Sequence, residues 1–145
     1  MNYFDHDEGT KGKFVIGFTG TREGMSNTQL VELTEFLEKY KTWYDVEFRH
    51  GDCIGADEQA HLIASAFGFR IVVHPPNDTM LRAYCAFAEE IRSPKAFLTR
   101  NHDIVDASDI VIAAPRTSVE ELRSGTWATI RYARKTGKRV EIILP

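Results

Sequence analysis

The chain predicts an α/β domain, a Rossmann-like three-layer sandwich around a five-stranded parallel sheet with strand order 3-2-1-4-5. Short apolar runs alternate with segments of helical period from Phe14 to Leu144, and such alternation implies right-handed crossovers between parallel strands. Glycine-bearing turns stand where strands hand over to helices. The length of 145 residues suits one domain with a real core, here residues 13–145 behind a polar extension at 1–12.

The elements follow in order. Phe14-Val15-Ile16-Gly17-Phe18 reads as a buried strand. Ser26 and Gln29 then offer a capping box for a helix that carries Leu30, Leu33, Leu37 and Tyr40 on one stripe. Val46 and Phe48 mark the second strand, which runs into Gly51. Ala56, Ala60, Ile63 and Phe67 form the stripe of the next helix, and Gly68 ends it. Arg70 to His74 is the third strand, stopped by Pro75-Pro76. Met80, Tyr84, Phe87 and Ile91 recur at helical spacing, so a helix is expected from Asp78 to Glu90, and another from Ala96 to Ala107. Asp109 to Ala114 is the fourth strand. A helix with Trp127, Ile130 and Ala133 on one side ends at Gly137, and Val140 to Leu144 closes the sheet.

The three turns carry the chemistry. They are Gly17-Phe18-Thr19-Gly20-Thr21-Arg22, Gly51-Asp52-Cys53-Ile54-Gly55-Ala56-Asp57 and Arg123-Ser124-Gly125-Thr126. Glycine admits a ligand close to the backbone, and the first amides of a helix have no intrahelical acceptor, so each turn suits an anion. In a sheet of this order, the first and third turns meet at the point where the order reverses. Thr21 offers a hydroxyl and Arg22 a charge-assisted clamp for phosphate. Asp52 suits a helix cap or a ribose hydroxyl, while Asp57 and Glu58 sit where the helix dipole favours carboxylates. The turns match neither the GxGxxG fingerprint nor the phosphate loop.

Composition narrows the partners. The net charge of −3 argues against nucleic acid, and Arg134, Lys135, Lys138 and Arg139 read as a solvated helix end. No apolar run approaches the roughly 20 residues of a membrane helix, and the polar start is not a secretory leader. Cys53 and Cys85 lack CxxC spacing and read as reduced thiols of a cytoplasmic protein. His50 has no second ligand pair at metal spacing, so neither a metal nor a cofactor is expected. His6, His61, His74 and His102 read as surface or structural residues, and Trp127 as core.

Gly51-Asp52-Cys53-Ile54-Gly55-Ala56-Asp57 resembles the GGxxGAD signature of YspA-like proteins in the SLOG superfamily. Arg100-Asn101, the run Ala107 to Ala113 and Ser124-Gly125-Thr126 match the succession that follows it in that group. The similarity spans Phe14 to Leu144, and the superfamily also holds the Lonely Guy phosphoribohydrolases and the Smf/DprA proteins. It implies a fold that binds nucleotides or their derivatives. Gly20, Thr21 and Arg22 would hold phosphate, and Gly51, Gly55 and Asp57 would shape the second wall. Ser124, Gly125 and Thr126 would cradle a phosphate or ribose, with Arg100 and Asn101 at the Lonely Guy arginine–lysine element. It also implies pairing through helices into a homo-oligomer.

One position departs from that pattern. Thr129 stands where the Lonely Guy enzymes carry the glutamate that serves cleavage of the base–ribose bond, and threonine is no carboxylate base. Two readings follow. The first is a protein that binds a nucleoside monophosphate or an ADP-ribose type of ligand as sensor, carrier or sequestering protein. The second is a nucleotide N-glycosidase whose acid is Asp52, Asp57, Glu58, Glu120 or Glu121. A DprA-like affinity for single-stranded DNA is a third and weaker reading, given the acidic balance.

Overall fold

The computed structural model describes residues 11–145, so the extension expected at 1–12 lies outside the described residues except for its last two. The elements are β1 (Lys13–Gly20), α1 (Asn27–Trp43), β2 (Asp45–His50), α2 (Ala56–Ala66) and β3 (Arg70–Val73), then β4 (Glu90–Ile91), α3 (Phe97–Ala107), β5 (Ile110–Ala114), α4 (Gly125–Lys135) and β6 (Arg139–Ile142). The strands form one sheet in the order β4-β3-β2-β1-β5-β6, and every neighbouring pair is parallel. The sheet therefore has six strands rather than five. The five expected strands keep their order, and β4 adds a two-residue edge beside Val72 and Val73. Two residues are too few to carry a periodicity.

The side chains of β5 show how the layers form. Ile110, Ile112 and Ala114 pack with Leu33 and Leu37 of α1 and Ala56, Ala60 and Ala64 of α2. Val111 and Ala113 point the other way, toward Val105 of α3 and Ala133, Trp127 and Ile130 of α4. All five residues of β5 are buried, as expected of a strand covered by helices on both faces.

The helix expected from Asp78 to Glu90 does not form. Tyr84 and Phe87 adopt φ of 55° and 64°, values outside a right-handed helix. Met80 and Phe87, half of the supposed apolar stripe, are 85% and 92% exposed. Asp78 accepts a hydrogen bond from the Met80 N–H at 3.0 Å, an Asx turn in place of a helix cap. The remaining backbone is drawn to other elements. Ala83 N–H donates to the Asp52 carbonyl (2.7 Å), Ile54 N–H to Leu81 (3.0 Å) and Glu89 N–H to Ile71 (2.9 Å). Tertiary hydrogen bonds have taken the groups that a helix would have used.

Two caps fix the helices that border the β1 turn. Ser26 accepts from the Gln29 N–H at 3.1 Å while Gln29 Oε1 accepts from the Ser26 N–H at 2.9 Å, completing the expected capping box. The same buried Gln29 donates to the carbonyls of Pro115 and Ile143, which ties α1 to the ends of β5 and β6. At α2, Gly55 has φ 92° and ψ −126°, and an added Cβ would lie 2.3 Å from the Arg22 carbonyl oxygen. Gly68 closes α2 at φ 76° with open space around it.

These two glycines separate backbone strain from collision. Gly68→Ala should cost about 1 kcal/mol, the ordinary price of a positive φ. Gly55→Ala should cost at least about 3 kcal/mol, because strain and a backbone clash add. Urea denaturation of both variants checks this, and equal losses would refute the collision.

Candidate functional site

The chain leaves β1 and β5 toward opposite sides of the sheet, so a crevice opens beyond their carboxyl ends. Gly20 ends β1 opposite Ala114, and Thr21 N–H adds one more rung by donating to the Ala114 carbonyl at 3.0 Å. That amide is therefore committed to the protein. The Thr21 hydroxyl accepts from Glu23 N–H at 3.1 Å and keeps its own proton to donate.

The crevice measures about 440 Å³, a size suited to a small organic ligand. Gly20, Thr21, Arg22, Gly51, Asp57, Arg100, Asn101, Ser124, Gly125 and Thr126 all line it. The fold thus gathers three turns and the start of α3 around one space. Asp52 and Gly55 stand behind that lining. Of the other candidate carboxylates, Glu121 reaches the crevice, whereas Glu58 and Glu120 do not.

The α4 side leaves backbone donors open. Ser124 caps the helix by accepting from Trp127 N–H at 3.2 Å, and Ala128 N–H donates to the Ser124 carbonyl. Gly125 and Thr126 are left with amides that have no acceptor among the described residues, and no acidic side chain occupies the first turn. A Cβ on Gly125 would meet nothing within 4 Å, while one on Gly20 would strike Ala56 and one on Gly51 would strike Arg100. Gly20 and Gly51 are therefore explained by packing, and Gly125 leaves room in the crevice. Arg116 is occupied by Glu23 and Glu121. Arg22 and Arg123 face the crevice without a carboxylate within 4 Å among the described residues.

The opposite wall carries a buried carboxylate. Asp57 is 6% exposed. Its Oδ2 accepts from Cys53 N–H at 3.2 Å, and its Oδ1 has no partner among the described residues. Burial raises its pKa from 3.8 to about 6, against the opposing pull of Arg100. Arg100 is 4% exposed and donates to the carbonyls of Gly51 and His74, to Asn101 Oδ1 and to Cys53 Sγ. Burial pushes the Cys53 thiol up, which leaves it a poor nucleophile.

Asp52 has a different engagement. Its carboxylate pairs with Arg82 at 3.0 Å and accepts from Cys85 N–H at 2.9 Å, holding the 80–88 loop. Glu120 pairs with Arg131. Thr129 is 2% exposed and donates to the Gly125 carbonyl at 2.8 Å, so the position within α4 offers the crevice no carboxylate. Trp127 is 6% exposed and packs on Ala113 and Ile130, as expected of a core residue.

His50, His61 and Cys85 bring ligand-type atoms within 4.8 Å of one another. Their nitrogens are already engaged. Asp52 N–H donates to His50 Nδ1 (2.9 Å), which makes His50 Nε2 the donor to His61 Nδ1 (2.9 Å), and His61 Nε2 then donates to the Ala86 carbonyl (2.7 Å). The chain of donors and acceptors closes without an ion. Cys53 and Cys85 are both free thiols.

Sequence reasoning missed Phe97 and Leu98 as lining residues, and it named Arg123 only as the first residue of the third turn. The rings and guanidinia of Arg22, Phe97 and Arg100 lie together, each arginine within 6 Å of the Phe97 centroid. The i, i+3 spacing of Phe97 and Arg100 was the available signal, since it puts both on one helix face.

No family model matches the chain, and no curated protein matches it. Solved structures do share the fold. The molybdenum cofactor binding protein from the phototrophic bacterium Rippkaea orientalis superposes with a TM-score of 0.72 at 22% identity, over 92% of this chain and 77% of that one. The molybdenum cofactor carrier protein of Chlamydomonas reinhardtii gives 0.65 at 19%, over 92% and 78%. DNA processing protein A from Streptococcus pneumoniae gives 0.66 at 17%, over 91% of this chain and 53% of its own. What these structures share with the chain is the fold, an open parallel α/β sheet with Rossmann-like layering. No helix of the described residues is long and apolar enough to cross a membrane.

Asp57 makes a pH signature. Its folded pKa of about 6 lies above the unfolded value of 3.8, so its ionisation opposes folding. The penalty is absent below about pH 4, grows between the two values and is complete above pH 6. It amounts to about 3 kcal/mol. Asp57→Asn should therefore melt higher than the parent at pH 7.5, with the gap closing toward pH 4. A gap that ignores pH would overturn the assignment.

Proposed function

We propose that this chain binds a phosphorylated nucleoside derivative, of the nucleoside monophosphate or ADP-ribose type, as a carrier, sensor or sequestering protein of the YspA-like branch. The observation that carries the reading is the polarity of the crevice. One wall presents the open Gly125 and Thr126 amides with Arg22 and Arg123, and the other carries Asp57, whose buried Oδ1 has no partner among the described residues. The first suits a phosphate, which helix amides and arginines bind together. The second suits a hydroxyl donor such as a ribose diol, because a buried acceptor without a hydrogen bond is costly. Phe97 and Leu98 supply an apolar surface between them on which a base can rest. Two of the structural neighbours are described as binding or carrying the molybdenum cofactor, which supports a small-molecule carrier.

One observation favours the enzymatic alternative. Of the five candidate acids, Asp57 combines a place in the crevice with a free oxygen and a pKa near neutrality. Such a carboxylate suits general acid–base work on the base–ribose bond. Asp52 and Glu120 are held in ion pairs, and Glu121 is held by Arg116. An N-glycosidase reading thus rests on Asp57.

Thermal shift and chromatography separate the readings. Incubation with nucleoside monophosphates, NAD and ADP-ribose should raise the melting temperature and leave the ligands intact. Released base, lost in Asp57→Asn, would make the protein a glycosidase. Arg22→Ala and Arg123→Ala should each weaken phosphorylated ligands by about tenfold and leave the free nucleosides unchanged. An equal loss for both ligand classes would show that these arginines do not read phosphate.

A further inference from the structure

A second cavity of about 510 Å³ opens on the far side of Arg100, between the ends of β2 and β3, the 92–95 loop and α3. Arg49, Arg92, Lys95 and Arg100 line it with Asp103 and Asp106, and from outside the lining Glu47 pairs with Arg49 at 2.8 Å and Glu90 with Arg92 at 2.6 Å. Arg100 lines both spaces. Its own donors are committed to Gly51, His74, Asn101 and Cys53, and its charge acts on the buried Asp57 carboxylate.

The donors converge as well. Arg49 donates to His74 Nε2 at 3.1 Å. Arginine has no acceptor, so His74 Nε2 must accept and the ring proton sits on Nδ1. That N–H has no protein acceptor among the described residues, and His74 lines the cavity beside the Ser93 hydroxyl. Asp106 is engaged by the Tyr132 hydroxyl at 2.7 Å and Asp103 by Lys95 at 2.6 Å, which tempers their charge.

From this juxtaposition we infer a second oxyanion site that takes a phosphate group on the His74 imidazole N–H, Arg49, Arg92, Lys95 and Ser93. The phosphate comes either from free inorganic phosphate or from the far phosphate of an extended ligand whose other end fills the first crevice. The site stands independently of what that first crevice binds.

His74 is the built-in reporter. Burial depresses its pKa to about 4, and Arg49 of β2, Arg92 of the loop and Arg100 of α3 act the same way against Asp103 of α3. A bound phosphate offsets those cations and raises the value. The test is a titration of the full chain with inorganic phosphate, followed by NMR of the His74 ring and of the Gly125 and Thr126 amides. The expected result is a saturable His74 shift and a His74 pKa raised by about one unit. Arg92→Ala should weaken that response about tenfold and leave the Gly125 and Thr126 response unchanged. A His74 signal that phosphate does not move, or that Arg92→Ala moves no differently, overturns the site. ADP-ribose then identifies the source. A single shared isotherm at His74 and Gly125 assigns the far phosphate, and additive shifts on adding phosphate to saturated protein assign the free ion.

Discussion

The buried guanidinium of Arg100 is the interaction on which the rest of the site depends. A cation removed from water must find acceptors for its donors, and this one finds them on the ends of two strands, at Gly51 and His74, and on Cys53 and Asn101. The planar fork of arginine reaches several acceptors at once, where lysine would offer a point charge. The result is that β2, β3, the β2 turn and α3 are joined by one side chain. Gly51 is glycine because that side chain and Asp57 pass where its Cβ would be.

The geometry of the crevice follows from that junction together with the first turn. Gly55 lies so close to the Arg22 carbonyl that the first and second turns behave as a unit, and Ala56 N–H donates to the Thr21 carbonyl at 2.9 Å. The third turn arrives from the other side and is fixed through Gln29, which holds the Pro115 carbonyl at the start of its loop. The open amides at the start of α4 and the buried carboxylate of Asp57 are thereby presented by separate supports. Preorganised donors of this kind lower the cost of ordering a bound ligand.

Much of the fold was legible because its signals are local. The β1 and β5 runs, the Ser26–Gln29 box and the Gly68 stop each declare themselves within a few residues, and the strand order follows from crossover handedness. The convergence of turns was legible for the same reason, since it is a property of topology. What failed was the helix expected at 78–90, whose helical spacing was real but whose backbone partners lie in the β2–α2 turn, β3 and α2. Asp52 likewise read as a ligand candidate, although a residue some 30 positions away, Arg82, holds its carboxylate. Such tertiary partners leave no mark in a window of sequence. The partnerless oxygen of Asp57 is also invisible there, because it depends on burial alone.

The tethering of the 80–88 loop also sets an order of opening. Its backbone is satisfied by Asp52, Ile54 and Ile71, and His61 donates to Ala86. It has no helix of its own to nucleate, and Tyr84 and Phe87 hold left-handed conformations that only a completed neighbourhood sustains. The segment is therefore expected to open before the β2–α2–β3 unit that holds it. It forms a low-stability unit against a hard central sheet, and hydrogen exchange would read it as the first region to release protection.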